Sequence, residues 1–174
     1  MKSARVSLYR LNTLDEASFV EVCGPFFEHS PWIAIRTWSR RPFSSVENLH
    51  DEFVATVRAA TSPEQVALIV AHPDLVGRLA REGQLTHEST TEQAAAGLNA
   101  LSPDEVTLFN RFNADYRAAF GFPFVICARE NRKDAILVAF PTRLKHSREQ
   151  EIACALDEIY KIARHRLLDR IKPD

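Results

Sequence analysis

SPDEVTLFNRFNADYRAAFGFPFVIC, residues 102–127, decides the fold class. Its first part reads as a helix. Ser102 followed by Glu105 is a capping box, in which the hydroxyl accepts the amide three residues on and the carboxylate reaches back. Pro103 suits the start, where its missing N–H would be unpaired anyway. Val106, Phe109, Phe112, Tyr116 and Phe120 then recur at helical spacing. Gly121 is a natural C-terminal cap. The second part, Phe122 to Cys127, is apolar, β-branched and too short for a helix. It reads as a buried extended segment. A lone segment of this kind leaves backbone groups that must meet water, side chains or a ligand.

The flanks are helical too. Upstream, Thr13-Leu14-Asp15-Glu16 predicts a capped helix carrying Leu14, Ala17, Val20 and Cys23, stopped by Gly24-Pro25. Ser30-Pro31 starts a short helix with Trp32 and Ile35. Ser44 to Glu47 opens a third, with Val46, Leu49, Phe53, Val57 and Ala60 as its apolar stripe. Ser62 to Gln65 opens a fourth. It should end near His72, because a residue before proline is pushed out of the α region. Asp74 to Arg81 can add one or two turns, and Gly83 to Glu88 is a polar connection. Ser89-Thr90-Thr91-Glu92 is another capping box. Downstream, Asn131 precedes a helix from Arg132 to about Phe140, which Pro141 should kink or end. Ser147 to Gln150 opens the last helix, whose stripe runs through Ile152, Ile159, Arg166 and Leu167. The expectation is an all-α chain: a single compact multi-helix domain over residues 1–174, with one short extended apolar segment near 122–128.

With 174 residues, 45% hydrophobic, the chain can build a full core without staples. Lys plus Arg is 22 and Asp plus Glu is 23, for a net charge of -1. That balance argues against a general nucleic-acid binder. Arg164, His165, Arg166 and Arg170 read as a solvated helix face. Cys23, Cys127 and Cys154 lack metal-type spacing, and a sparse odd count fits a reducing cytosol. Met1 to Leu11 has no apolar signal core, and no apolar run approaches a membrane span. The expected setting is cytoplasmic, with no nucleic-acid or membrane partner. No P-loop, dinucleotide glycine motif or nucleophile elbow occurs.

Chemistry can sit at two places. His72-Pro73 lies at a helix end, and an imidazole titrates near neutrality, which suits proton transfer. A histidine beside an apolar run also serves as a hydrogen-bonded structural residue. His29, His50, His87, His146 and His165 sit in polar surroundings and read as structural. Ser89 to Gln93 has two readings. A capping box explains Ser89 and Glu92 by itself, yet a helix N-terminus also gathers unpaired N–H groups that suit an anion. His72, His87 and Glu92 could meet around a metal as a hydrolase site, but no recognised ligand spacing is present, and no metal is expected. A non-catalytic helical interaction module is the other alternative.

In order and spacing, several motifs together resemble the OHCU decarboxylases, OHCU being 2-oxo-4-hydroxy-4-carboxy-5-ureidoimidazoline. They are Glu28-His29-Ser30-Pro31-Trp32, Arg41-Pro42-Phe43, Ala71-His72-Pro73-Asp74-Leu75, Ser89 to Leu98, and Phe120 to Ile126. The similarity runs from about Leu11 to Leu168. It implies an all-α homodimer that needs no cofactor and converts OHCU, a small-molecule substrate, to (S)-allantoin. By the same resemblance the catalytic histidine falls on His72, with Glu92 beside it in the reaction. Substrate contacts fall on Pro73, on Ser89, Thr90, Thr91, Glu92 and Gln93, and on Phe124, Val125, Ile126, Cys127 and Ala128. The arginine of an R-L motif falls on Arg143. Family members continue a helix through this last region, and Pro141 departs from that pattern.

Overall fold

The computed structural model describes residues 5–77, 83 and 85–174, and nine α-helices run among them. They are α1 Leu8–Thr13, α2 Glu16–Cys23, α3 Trp32–Trp38, α4 Val46–Arg58, α5 Ser62–Val70, α6 His87–Ala95, α7 Pro103–Phe120, α8 Lys133–Arg143 and α9 Arg148–Arg170. A two-residue strand at each end, β1 Val6–Ser7 and β2 Ile171–Lys172, pairs in parallel with Val6 opposite Ile171. The helical class is as expected, with this small ladder added. Among the described residues no helix is long and apolar enough to cross a membrane.

The chain divides into two compact units. One comprises the chain up to Ala71 together with Tyr160–Asp174, and the other is His72–Ile159. In the first unit α3 packs on α2 and α4. Its core is a cluster of rings in which Phe53 meets Phe19, Phe26 and Phe27 at centroid separations of 6.4, 6.1 and 5.6 Å. The sequence places Arg166 both in a solvated face and in the buried stripe of the last helix, and the second reading holds. It is not part of a solvated face: it is buried, with Nη1 3.0 Å from the buried Glu28 carboxylate. A charge enters a core only when paired, and Glu28, 138 positions earlier, is the partner no local pattern announces.

In the second unit α7 contacts α8. Tyr116 sits among Phe120, Phe122, Phe124 and Phe140, and Phe124 stacks on Phe140 at 3.8 Å. The Ser102–Glu105 capping box and the left-handed Gly121 cap, at φ 79°, both form as the sequence predicts.

Several helix ends differ from expectation by a few residues, each for a local reason. Asp15, not Thr13, caps α2 by accepting from the Ser18 amide at 2.8 Å, while the Thr13 hydroxyl is spent on the Arg10 carbonyl within α1. Thr61 makes the capping box of α5 with Glu64, one position earlier than expected. Thr86 caps α6, so Ser89 and Glu92 lie inside that helix and do not form its capping box. Pro141 does not end α8, which continues to Arg143. The missing N–H falls in the last turn, where the Thr142 hydroxyl and the Leu144 amide still bond back to Val138 and Phe140. Residues 78–81, read as part of further turns, lie outside the described residues.

Candidate active site

His72 follows Ala71, the C-terminal cap of α5, and Pro73 prevents the helix from continuing. His72 is 6% exposed. The loop after it is held from three directions. The Val76 amide donates to Gln93 Oε1 at 3.1 Å, and Asn113 Nδ2 donates to the Leu75 carbonyl at 2.8 Å. Arg117 Nε reaches both Asp74 oxygens at 3.0 and 3.1 Å. These ties hold Val76 at φ 56°, a left-handed conformation that costs a β-branched residue about 1–2 kcal/mol.

On α6 the positions Ser89, Glu92 and Gln93 are all buried. Spacings of three and four residues put them on one face of the helix. Thr90 and Thr91 between them are exposed, and their hydroxyls bond the helix's own carbonyls at Thr86 and His87. Their side chains therefore do not join the buried face. The structure frees Ser89 and Glu92 from the capping role that sequence alone could assign them.

The segment from Phe122 to Ala128 is buried throughout and has no strand partner among the described residues. Side chains meet part of its backbone. Arg143 Nη1 donates to the Val125 carbonyl at 2.6 Å, and the Cys127 amide donates to Glu158 at 2.8 Å. Among the described residues the amides of Phe124, Val125 and Ile126 have no protein acceptor. An unmet buried amide costs about 1–3 kcal/mol. Each fully buried Phe, Val or Ile side chain contributes about 1.5–3 kcal/mol. Packing therefore carries the segment. Burial, and then the charge of Glu130, push the Cys127 thiol up to about 11.

Arg143 is the anchor of this segment. Besides Val125 it binds Glu151, which is fully buried, through Nε and Nη2 at 3.0 and 2.8 Å, and Nη2 also reaches the Tyr116 hydroxyl. Tyr116 in turn donates to Glu151. Burial, and then that hydrogen bond, push the Tyr116 hydroxyl up, so it stays a donor. His146 Nδ1 lies 2.6 Å from the same carboxylate. The sequence did not single out Glu151, Glu158 or Asn113. The available signal was a polar residue on an otherwise apolar helix stripe.

Helix α7 brings these parts together. Asn113 holds the His72 loop, and Tyr116 belongs to the cluster that holds Val125. Residues three apart on a helix are neighbours, with Cβ atoms about 5–6 Å apart. One face of α7 thus ties the histidine loop and the extended segment to a common frame, and Gln93 ties α6 to the same loop.

The fold is shared with two solved structures. A crystal structure of OHCU decarboxylase in the presence of (S)-allantoin aligns with a TM-score of 0.67 at 20% identity, covering 88% of this chain and 96% of that one. A crystal structure of (S)-allantoin synthase aligns with a TM-score of 0.76 at 27% identity, over 96% of this chain. This chain spans about half of that one, 54%. The chain belongs to the OHCU decarboxylase family, whose sequence profile matches residues 12–168. The 2-oxo-4-hydroxy-4-carboxy-5-ureidoimidazoline decarboxylase of Haloferax volcanii is 41% identical to it, over 97% of this chain and 98% of the relative.

Proposed function

We propose that this chain decarboxylates OHCU to (S)-allantoin in urate degradation, with the whole chain working as one catalytic domain. The observation that carries the site is the buried segment Phe124 to Ile126, whose amides have no protein acceptor among the described residues. It is tied through α7 to the loop of His72 and the polar face of α6. Backbone donors of this kind suit the carbonyl-rich edge of a planar ring.

The substrate supplies its own electron sink, so the reaction is proposed to need no cofactor. As the bond from ring carbon to carboxylate breaks and CO2 leaves, its electron pair forms a C=C bond to the ureido-bearing carbon, and the imine pair moves onto the ring nitrogen, which takes up a proton from water. The hydroxyl on the same carbon loses its proton and becomes the product carbonyl. A proton then adds to one face of the ureido-bearing carbon. His72 moves the proton. Ser89, Glu92 and Gln93 hold ring or ureido polar groups, with Pro73 and the segment to Ala128 fixing the ring plane. Arg143 serves the site by holding the Val125 carbonyl. A cytoplasmic homodimer completes the proposal. Sedimentation at twice the 19.7 kDa chain mass is the expected result.

The test is to generate OHCU enzymatically and follow the chirality of the allantoin that forms. The wild type should give (S)-allantoin faster than the spontaneous reaction. His72→Ala should lose about a hundred- to ten-thousand-fold in kcat with its melting temperature held. Glu92→Gln should lose turnover with little change in stability. Racemic product at the spontaneous rate from the wild type would overturn the proposal, and a folded His72→Ala with near-normal turnover would remove the assignment of that residue.

A further inference from the structure

Two buried carboxamides grip a single peptide unit. The Leu75 carbonyl accepts from Asn113 Nδ2, and the Val76 amide of the same peptide donates to Gln93 Oε1. That peptide settles which way round each side chain stands. A carbonyl only accepts and an N–H only donates, so Asn113 must turn its NH2 to the loop, and Gln93 its oxygen. The remaining ends are fixed by the same logic: Asn113 keeps its oxygen, Gln93 its NH2.

Asn113 is 6% exposed, on the stripe of α7 that also buries Phe109 and Tyr116. Its Oδ1 is buried and has no hydrogen-bond partner among the described residues. A buried acceptor left unmet is costly, and an apolar residue at this position would avoid the cost. The Leu75 carbonyl explains the NH2 end of the side chain and leaves the oxygen unexplained.

We propose that Asn113 is a further substrate-binding residue, whose Oδ1 accepts an N–H from a urea-type group of the ligand. The inference rests on the decarboxylase reading above. OHCU carries such groups in its ring and in its ureido arm, each setting an N–H beside a C=O. The amide cannot turn over to suit another ligand, because its oxygen would then face the Leu75 carbonyl. A ligand presenting an oxygen at this point is therefore rejected.

The experiment uses Asn113→Ala and Asn113→Ser, each checked by circular dichroism and melting. Binding of (S)-allantoin is measured by calorimetry, and turnover with OHCU generated in place. The loss of one neutral hydrogen bond, made equally with ground and transition states, should weaken allantoin binding and raise KM roughly five- to tenfold. The fall in kcat should be smaller than that rise. Unchanged allantoin affinity in a folded variant would overturn the proposal. So would a kcat that falls as much as or more than KM rises, since Asn113 would then only support the His72 loop. Failure of the wild type to speed (S)-allantoin formation would count against the decarboxylase reading, independently of either variant.

Discussion

Gly77 has no room for a side chain. A Cβ there would stand 2.7 Å from the Asp74 Cβ, and Asp74 is tied to Arg117. Gly77→Ala should therefore displace the loop that carries His72. Because misplacement by about 1 Å can cost on the order of a hundredfold, kcat is expected to fall by up to that factor with the helices intact. A fall of less than twofold in steady-state kinetics would show that the loop tolerates the shift. At this scale the sequence was legible where a residue acts on its own neighbours. His72 could be found because Pro73 marks a helix end. Asn113 could not, since its partner lies 38 positions away and an asparagine in an apolar stripe carries no sign of what it holds. Ser89 read as a cap because a capping box is a local pattern, whereas Thr86 is the cap in the structure and Ser89, Glu92 and Gln93 are buried on one face of the helix.

Helix α8 ends on Arg143, which holds a buried polar cluster with Glu151 and Tyr116. Arg143→Ala would leave the Glu151 carboxylate buried without its guanidinium. Breaking a buried pair from one side costs about 3–5 kcal/mol, which urea unfolding would read as a lower midpoint. Glu151→Gln keeps the shape but leaves the Arg143 guanidinium buried without its carboxylate, so it too should lower the midpoint. Helix α5 offers a pH test. The hydrogen bond from Arg36, and then those from Thr61, hold the Glu64 carboxyl down to about 2. A carboxylate favoured in the folded state stabilises above its unfolded value, near 4.5, and that contribution is lost as pH falls through about 2. The melting temperatures of wild type and Glu64→Gln should therefore differ slightly at pH 7 and converge between pH 4.5 and 2. A constant gap would show that the cap and ion pair do not matter. The helices themselves were legible from spacing and caps. The passage of α8 through Pro141 was not, because tolerance of proline depends on how close the helix end lies.

Across the whole chain the three thiols are protected alike. Cys23 and Cys127 are buried and Cys154 is half-buried, and burial is the leading cause that pushes each thiol up. Thiolate is the reactive form, so iodoacetamide at pH 7 should leave turnover intact and modify all three only in denaturant. Rapid inactivation of the folded enzyme would contradict this. The all-helical class was legible from composition and caps, whereas the division into two units and the pairing of Val6 with Ile171 were not. Both depend on residues far apart in sequence finding each other, as does the burial of Arg166 against Glu28. The inward face of α6 has one last consequence, for how such chains can change length. A single inserted residue between Ser89 and Glu92 would turn everything beyond it by about 100°, one step of the α-helical screw. Glu92 and Gln93, which lie past the insertion, would swing off the buried face. Drift in length is thus barred within this turn, while the connection at 96–102 can absorb it.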